Sequence, residues 1–227
     1  MKKYVLFIVL LAVICFDTPV MAQSTSSSII NTEPSLKERW YLGGGFQLDI
    51  PNFKTEYVTV EGDDDLGVSD FDNTWGLQLK AGYNILDYLA VEGLFQYHRK
   101  FEWESGSYSD PDLGTVSGKV EVSGFDFSVS LKGILPLGIF RPYAVAGLGF
   151  MRGKAKATGT YDSPWISPVS YSETQSDSGP MGRIGIGCDV FVSENFGIEA
   201  EVAYNAGMGD IDYARFTALS AGVIILL

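Results

Sequence analysis

The sequence predicts an all-β chain, folded as an eight-stranded antiparallel transmembrane β-barrel. Three observations lead there. Apolar and polar residues alternate over nearly all of residues 39–227, which is the period of a strand and not of a helix. No run in that region approaches the ~20 apolar residues that a spanning helix needs. The connections between the alternating segments are short and long by turns, as in barrels that cross a membrane.

The first segment has another purpose. Lys2 and Lys3 precede an apolar run from Tyr4 to Phe16, and Val20-Met21-Ala22 offers small-x-small chemistry before Gln23. This is the pattern of a cleaved secretory signal over residues 1–22, and the run is short for a membrane anchor. Ile14 is larger than the residue that lipoprotein processing prefers before a cysteine, so Cys15 is not expected to carry a lipid. Residues 23–38, rich in Ser and Thr and then charged, read as a flexible periplasmic leader, and residues 39–227 as the barrel domain. Only Cys188 remains after cleavage, which excludes an intramolecular disulfide. The formal charge of −12 argues against nucleic acid as a partner, because such binding needs a basic face.

The first strand sets Trp40, Leu42, Phe46, Leu48 and Ile50 against Tyr41, Gln47 and Asp49, and Pro51 ends it. The second sets Trp75, Leu77, Leu79, Ala81 and Tyr83 against Thr74, Gln78 and Lys80. After a turn within 84–88, the third sets Val91, Phe95 and Tyr97 against Glu92, Leu94, Gln96 and His98. The fourth sets Phe125, Phe127, Val129 and Leu131 against Asp126, Ser128, Ser130 and Lys132. Val120 and Val122 are out of phase with Phe125, so a bulge or strand start is expected near Ser123-Gly124. The fifth strand, 142–153, fits best with Ala144, Ala146, Leu148 and Phe150 outward. The sixth sets Ile184, Ile186, Cys188 and Val190 against Arg183 and Asp189. The seventh sets Ile198, Ala200, Val202 and Tyr204 against Glu199, Glu201 and Asn205, and the eighth aligns Leu219, Ala221, Val223, Ile225 and Leu227.

The connections near Asp87, Gly138 and Glu194 are short, those at 51–73, 104–118 and 154–179 read as long polar loops, and 206–212 is intermediate. Alternation alone does not distinguish a soluble barrel from a membrane barrel with its faces reversed. Here the polar phase is crowded with Gly, Ser and paired charges, which suits a narrow filled interior, while Trp and Tyr stand near strand ends on the apolar phase. That distribution matches the aromatic girdles of an outer-membrane barrel.

Ser220-Ala221-Gly222-Val223-Ile224-Ile225-Leu226-Leu227 resembles the C-terminal signal read by the barrel assembly machinery, although that family usually ends in an aromatic residue where this chain has Leu227. The segments from Arg141 to Gly149, Tyr88 to Gly93 and Phe196 to Ala200 are similar to recurrent strands of small barrels of the OmpA/OmpX type. The resemblance spans nearly all of 39–227 and implies an outer-membrane protein of a Gram-negative cell. Outer-membrane lipid, lipopolysaccharide and the assembly machinery are its implied partners. Because Leu227 closes the eighth strand, the separate peptidoglycan-binding domain of some OmpA proteins is not expected.

Lys80, Glu92, Lys132, Asp189, Glu199 and Glu201 are expected to share the lower interior, with Arg183 and Asp126 higher and extending the same network. Unpaired charges in such a place cost several kcal/mol each, so a structural ion-pair network is expected. His98 is the only histidine. A lipid A deacylase family of the outer membrane uses His and Ser two residues apart, and Lys100 stands where that Ser would be. No catalytic residue, cofactor or metal ligand set is therefore assigned. The Gly-x-Gly runs at 147–149 and 185–187 lie inside strands with no helix after them, unlike a phosphate loop. The acidic run Glu61 to Asp65, with Asp70 and Asp72, offers oxygens of the kind calcium takes but not the EF-hand spacing. Tyr161, Trp165, Ile166 and Tyr171 give the third long loop aromatics suited to a host or surface ligand. The expected function is non-enzymatic: a plugged, surface-exposed structural or adhesion protein. The alternative is a narrow conduit for small solutes resembling the OmpW group, and a lipid-modifying enzyme is a third reading.

Overall fold

The computed structural model describes residues 36–52, 72–110, 114–163 and 166–227. The signal segment, most of the leader, the acidic run from Glu61 to Asp70 and the side chains of Trp165 and Ile166 lie outside the described residues.

Eight antiparallel strands close into one barrel: β1 (Arg39–Pro51), β2 (Thr74–Leu86), β3 (Leu89–Asp110), β4 (Gly114–Ile134), β5 (Phe140–Ser163), β6 (Ile166–Phe191), β7 (Phe196–Gly207) and β8 (Arg215–Leu226). Each strand pairs with its sequence neighbours, and β1 pairs with β8 from Tyr41↔Leu226 to Pro51↔Phe216. Closure leaves no free edge within the barrel wall, which is the condition for strands in a medium that cannot satisfy backbone polar groups.

The faces are reversed relative to a soluble barrel. Trp40 (59% exposed), Phe46 (68%), Leu79 (64%) and Leu148 (69%) stand outward, while Lys132 (1%), Glu92 (0%) and Asp126 (0%) are enclosed. The expected phases of all eight strands, including the preferred one for β5, match this partition. Trp75, Tyr97 and Phe125 mark the outward rim toward the long connections, and Trp40 and Tyr83 pack against each other at 4.9 Å near the short turns.

Two expectations require correction. Of the segments 104–118 and 154–179, residues 104–110, 114–118, 154–163 and 166–179 are strand and not loop: β3 and β4 stay paired to Asp110↔Gly114, and β5 and β6 to Ser163↔Ile166. Their Ser, Gly and charged residues suggest loop by composition. Four long neighbours nevertheless satisfy one another's backbone ladder and hold these stretches extended. β2 leaves the sheet at Gly76↔His98 and β7 at Met181↔Gly207. Beyond those points β3 to β6 continue as a four-stranded sheet with roughly 40 Å of strand, at ~3.3 Å per residue. The bulge expected near Ser123-Gly124 lies on the partner strand: β4 runs in unbroken register with β5, whereas β3 shifts between His98 and Phe101. The phase change therefore reflects Val120 and Val122 following the lumen-facing phase out of the membrane.

Apolar side chains close both ends of the interior. At the short-turn end Leu36, Tyr41, Ala90, Ile134, Phe191 and Leu226 pack together. Leu36 belongs to the segment read as leader, yet it is buried, with its N–H and that of Lys37 bound to the Asp87 carboxylate. At the other end Met151, Met181, Ile211, Phe216 and Ala218 form a second cluster, to which the 3-10 turn Gly209–Ile211 contributes Ile211.

Candidate functional site: the charged lumen

Between the two apolar ends lie two polar layers. Alternation aims every second residue of each strand at the barrel axis. In an eight-stranded barrel those side chains meet and fill the space.

The lower layer is built around two lysines. Lys80 of β2 reaches Glu199 of β7 at 2.5 Å, with Glu92 and Glu201 each at 3.8 Å. Lys132 of β4 pairs with Asp189 of β6 at 2.8 Å and lies 3.9 Å from Glu199 and 4.0 Å from Glu92. Arg183 donates to Glu201. Each carboxylate therefore faces at least one cation, and two tyrosines add neutral donors. Tyr41 donates to Glu92 at 2.8 Å, and Tyr143 donates to Glu201 at 3.0 Å. The Lys132 ammonium also lies 3.7 Å from the Tyr143 ring centre and 5.5 Å from that of Tyr41. Such pairing is what a low-dielectric interior demands of ionised groups.

The upper layer centres on His98. Its Nδ1 is 2.8 Å from Asp49 Oδ2 on β1, and its Nε2 is 2.6 Å from Asp126 Oδ2 on β4. Gln47 donates to both Asp49 oxygens, at 3.0 and 3.1 Å, and accepts from Gln96. Phe216 closes on the imidazole edge at 4.7 Å.

Seven of the residues expected in one network, Lys80, Glu92, Lys132, Arg183, Asp189, Glu199 and Glu201, meet in the lower layer. Arg183 stands four residues further out than Gly187, the partner of Glu201, and its long side chain reaches down to Glu201. Asp126 does not share in the lower layer and serves His98 instead. Sequence reasoning missed Tyr41, Tyr143, Asp49 and Gln47. Their lumen-facing phase was legible, but cross-lumen partners depend on stagger between strands, which alternation does not encode. Among the described residues no group of three or more His, Cys, Asp or Glu side chains is arranged to hold a metal ion. The lower layer sets four carboxylates against three cations and the upper layer two carboxylates against one imidazole, and every strand but β8 contributes a hydrogen-bonded side chain to one of these layers.

The profile of the outer membrane protein beta-barrel domain matches residues 8–224. No curated protein matches the chain. Several solved structures are similar in fold, two of them at a TM-score of 0.50. Ail, the attachment invasion locus protein of Yersinia pestis, is 17% identical, with 84% of this chain and 99% of Ail covered at a TM-score of 0.50. Neisserial surface protein A is 13% identical, with 82% and 96% covered at a TM-score of 0.50.

Proposed function

The chain belongs to the outer membrane protein beta-barrel domain family, and from that premise we propose that it is a plugged display barrel whose work is done by its external sheet. Its place is the cell outer membrane. The observation that carries the reading is the pairing of a filled lumen with strands of unequal length. β1, β2, β7 and β8 have 12 or 13 residues, whereas β3 to β6 have 21 to 26. The surplus stands outside the membrane as a sheet. Its outer β6 margin, with Val169 and Tyr171 exposed, has no strand partner among the described residues. Strand margins and exposed aromatics are surfaces that extended partners pair with. The proposed role is non-enzymatic contact with a surface ligand.

Complementation of a deletion strain separates display from conduction. A variant with β3–β4 and β5–β6 cut back to the length of β2 and β7 keeps the lumen intact. Display predicts that it folds, shown by heat-modifiable migration, and is recovered in the outer-membrane fraction, yet fails to restore the deletion phenotype. Full restoration by the trimmed barrel would overturn the proposal and favour a conduit.

A further inference from the structure

The outward face of β5 changes character along its length. Ala146 and Leu148 face the lipid, Phe150 follows, and then Arg152, Lys154 and Lys156 project outward at every second residue, all exposed. Four residues of strand span ~13 Å, so the three cations form a short vertical ladder. None of them has a carboxylate partner among the described residues. Glu121 lies directly across from Lys156 in the register, but its carboxylate is engaged by Lys100 at 2.8 Å and Lys119 at 3.3 Å. On the other side, the paired positions of β6 are Ser178, Ser176 and Thr174, which bring hydroxyls and no charge. Alternation sends Glu173 and Asp177 to the opposite face. Three unneutralised cations gathered on one stripe of a chain with a net charge of −12 are a local reversal of sign.

Directly below the ladder on the same strands is a dent in the barrel wall. The in-register rows Ala146–Ile184–Tyr204 and Leu148–Gly182–Ala206 line a shallow, open groove of about 550 Å³. Small side chains at Ala146, Gly182 and Ala206 make its floor, and Leu148, Ile184 and Tyr204 make its walls. A soluble ligand has no access to this height of the wall, because hydrocarbon surrounds it. An acyl chain does.

We propose that β5 to β7 form a binding site for a phosphorylated glycolipid of the outer leaflet, with phosphates held by Arg152, Lys154 and Lys156 and an acyl chain laid in the groove beneath. The charge complementarity selects an anionic headgroup, and continuity with the groove selects a lipid over a free anion. Arg presents a fork that matches phosphate oxygens, and the two lysines add mobile point charges.

The test titrates lipid A into the full barrel held in phosphatidylcholine nanodiscs, read by amide shifts from Leu148 to Lys156. Saturable shifts are expected. At about fivefold per cation near an anionic surface, Arg152→Ser, Lys154→Ser and Lys156→Ser together weaken binding on the order of a hundredfold. Dephosphorylated lipid A binds comparably weakly to the native barrel. Ala146→Leu with Ala206→Leu fills the groove and weakens lipid A while leaving the cations in place. Heat-modifiable migration of each variant verifies that it folds. Equal affinity of the triple variant, equal affinity for dephosphorylated lipid A, or the same saturable shifts from inorganic phosphate alone would each overturn the proposal. The last would mark a free-anion patch.

Discussion

Tyr41 on β1 lies against Gly82, its paired neighbour on β2, so closely that a β-carbon at position 82 would overlap the phenol ring. Tyr143 and Gly187 repeat the arrangement between β5 and β6. The two glycines give the rings room to lie against the wall, where their hydroxyls reach Glu92 and Glu201.

Alanine at either glycine is therefore expected to displace a ring and loosen its carboxylate. Gly82→Ala and Gly187→Ala should each destabilise the barrel by about 1–3 kcal/mol, the range for overpacking. Gly133→Ala is the control, since a β-carbon there meets nothing closer than 4.0 Å. Urea unfolding in detergent micelles measures all three.

The lower layer makes a non-additive prediction. Lys80→Ala leaves Glu199, Glu92 and Glu201 short of a cation and is expected to cost about 3–5 kcal/mol. Adding Glu199→Gln should recover part of that loss, because the two groups share one interaction. Simple additivity in the same unfolding assay would contradict the pairing.

For the upper layer, His98→Ala leaves Asp49 and Asp126 without their shared partner. A cost of about 3 kcal/mol is expected, partly relieved by Asp126→Asn. If His98→Ala is as stable as the native barrel, His98 does not hold these two carboxylates.

The sequence made the barrel legible because a membrane imposes the same rule on every strand, and one periodicity shows it eight times. Which residues face the lumen followed from phase together with face chemistry, Gly, Ser and paired charges on one side and Trp and Tyr near the strand ends on the other. Lys132 meeting Asp189, or His98 meeting Asp126, did not follow, because the rotation between strands is set by stagger. Composition also misled at 104–118 and 154–179. There Ser, Gly and charge indicate exposure to water, and an exposed antiparallel sheet meets that condition as well as a loop does.

Outside the membrane, the Lys100–Glu121–Lys119–Glu102 chain crosses β3 and β4. Hydrogen bonds from Lys100 and then Lys119 hold the Glu121 carboxyl below its ordinary range. Bonds to Glu102 and then Glu121 hold Lys119 above its own. The Glu121 contribution is thus present above the ordinary glutamate range and lost as pH falls through its lowered value. That of Lys119 is present below the ordinary lysine range and lost as pH rises through its raised value. Amide protection factors in this part of the hairpin, measured against the unstructured rate at each pH, should stay high across neutral pH and fall in strong acid or strong base. High salt should reduce the protection, as these exposed pairs are screened.

A lumen filled by its own side chains from wall to wall passes no ions. Single-channel recording in planar phosphatidylcholine bilayers tests that closure most directly. No stable conductance is expected from the native barrel, and measurable openings are expected when Lys80→Ala and Glu199→Ala are combined to thin the lower layer. A steady conductance of the native protein that changes with substitutions at Lys132 or Glu199 would contradict a closed lumen.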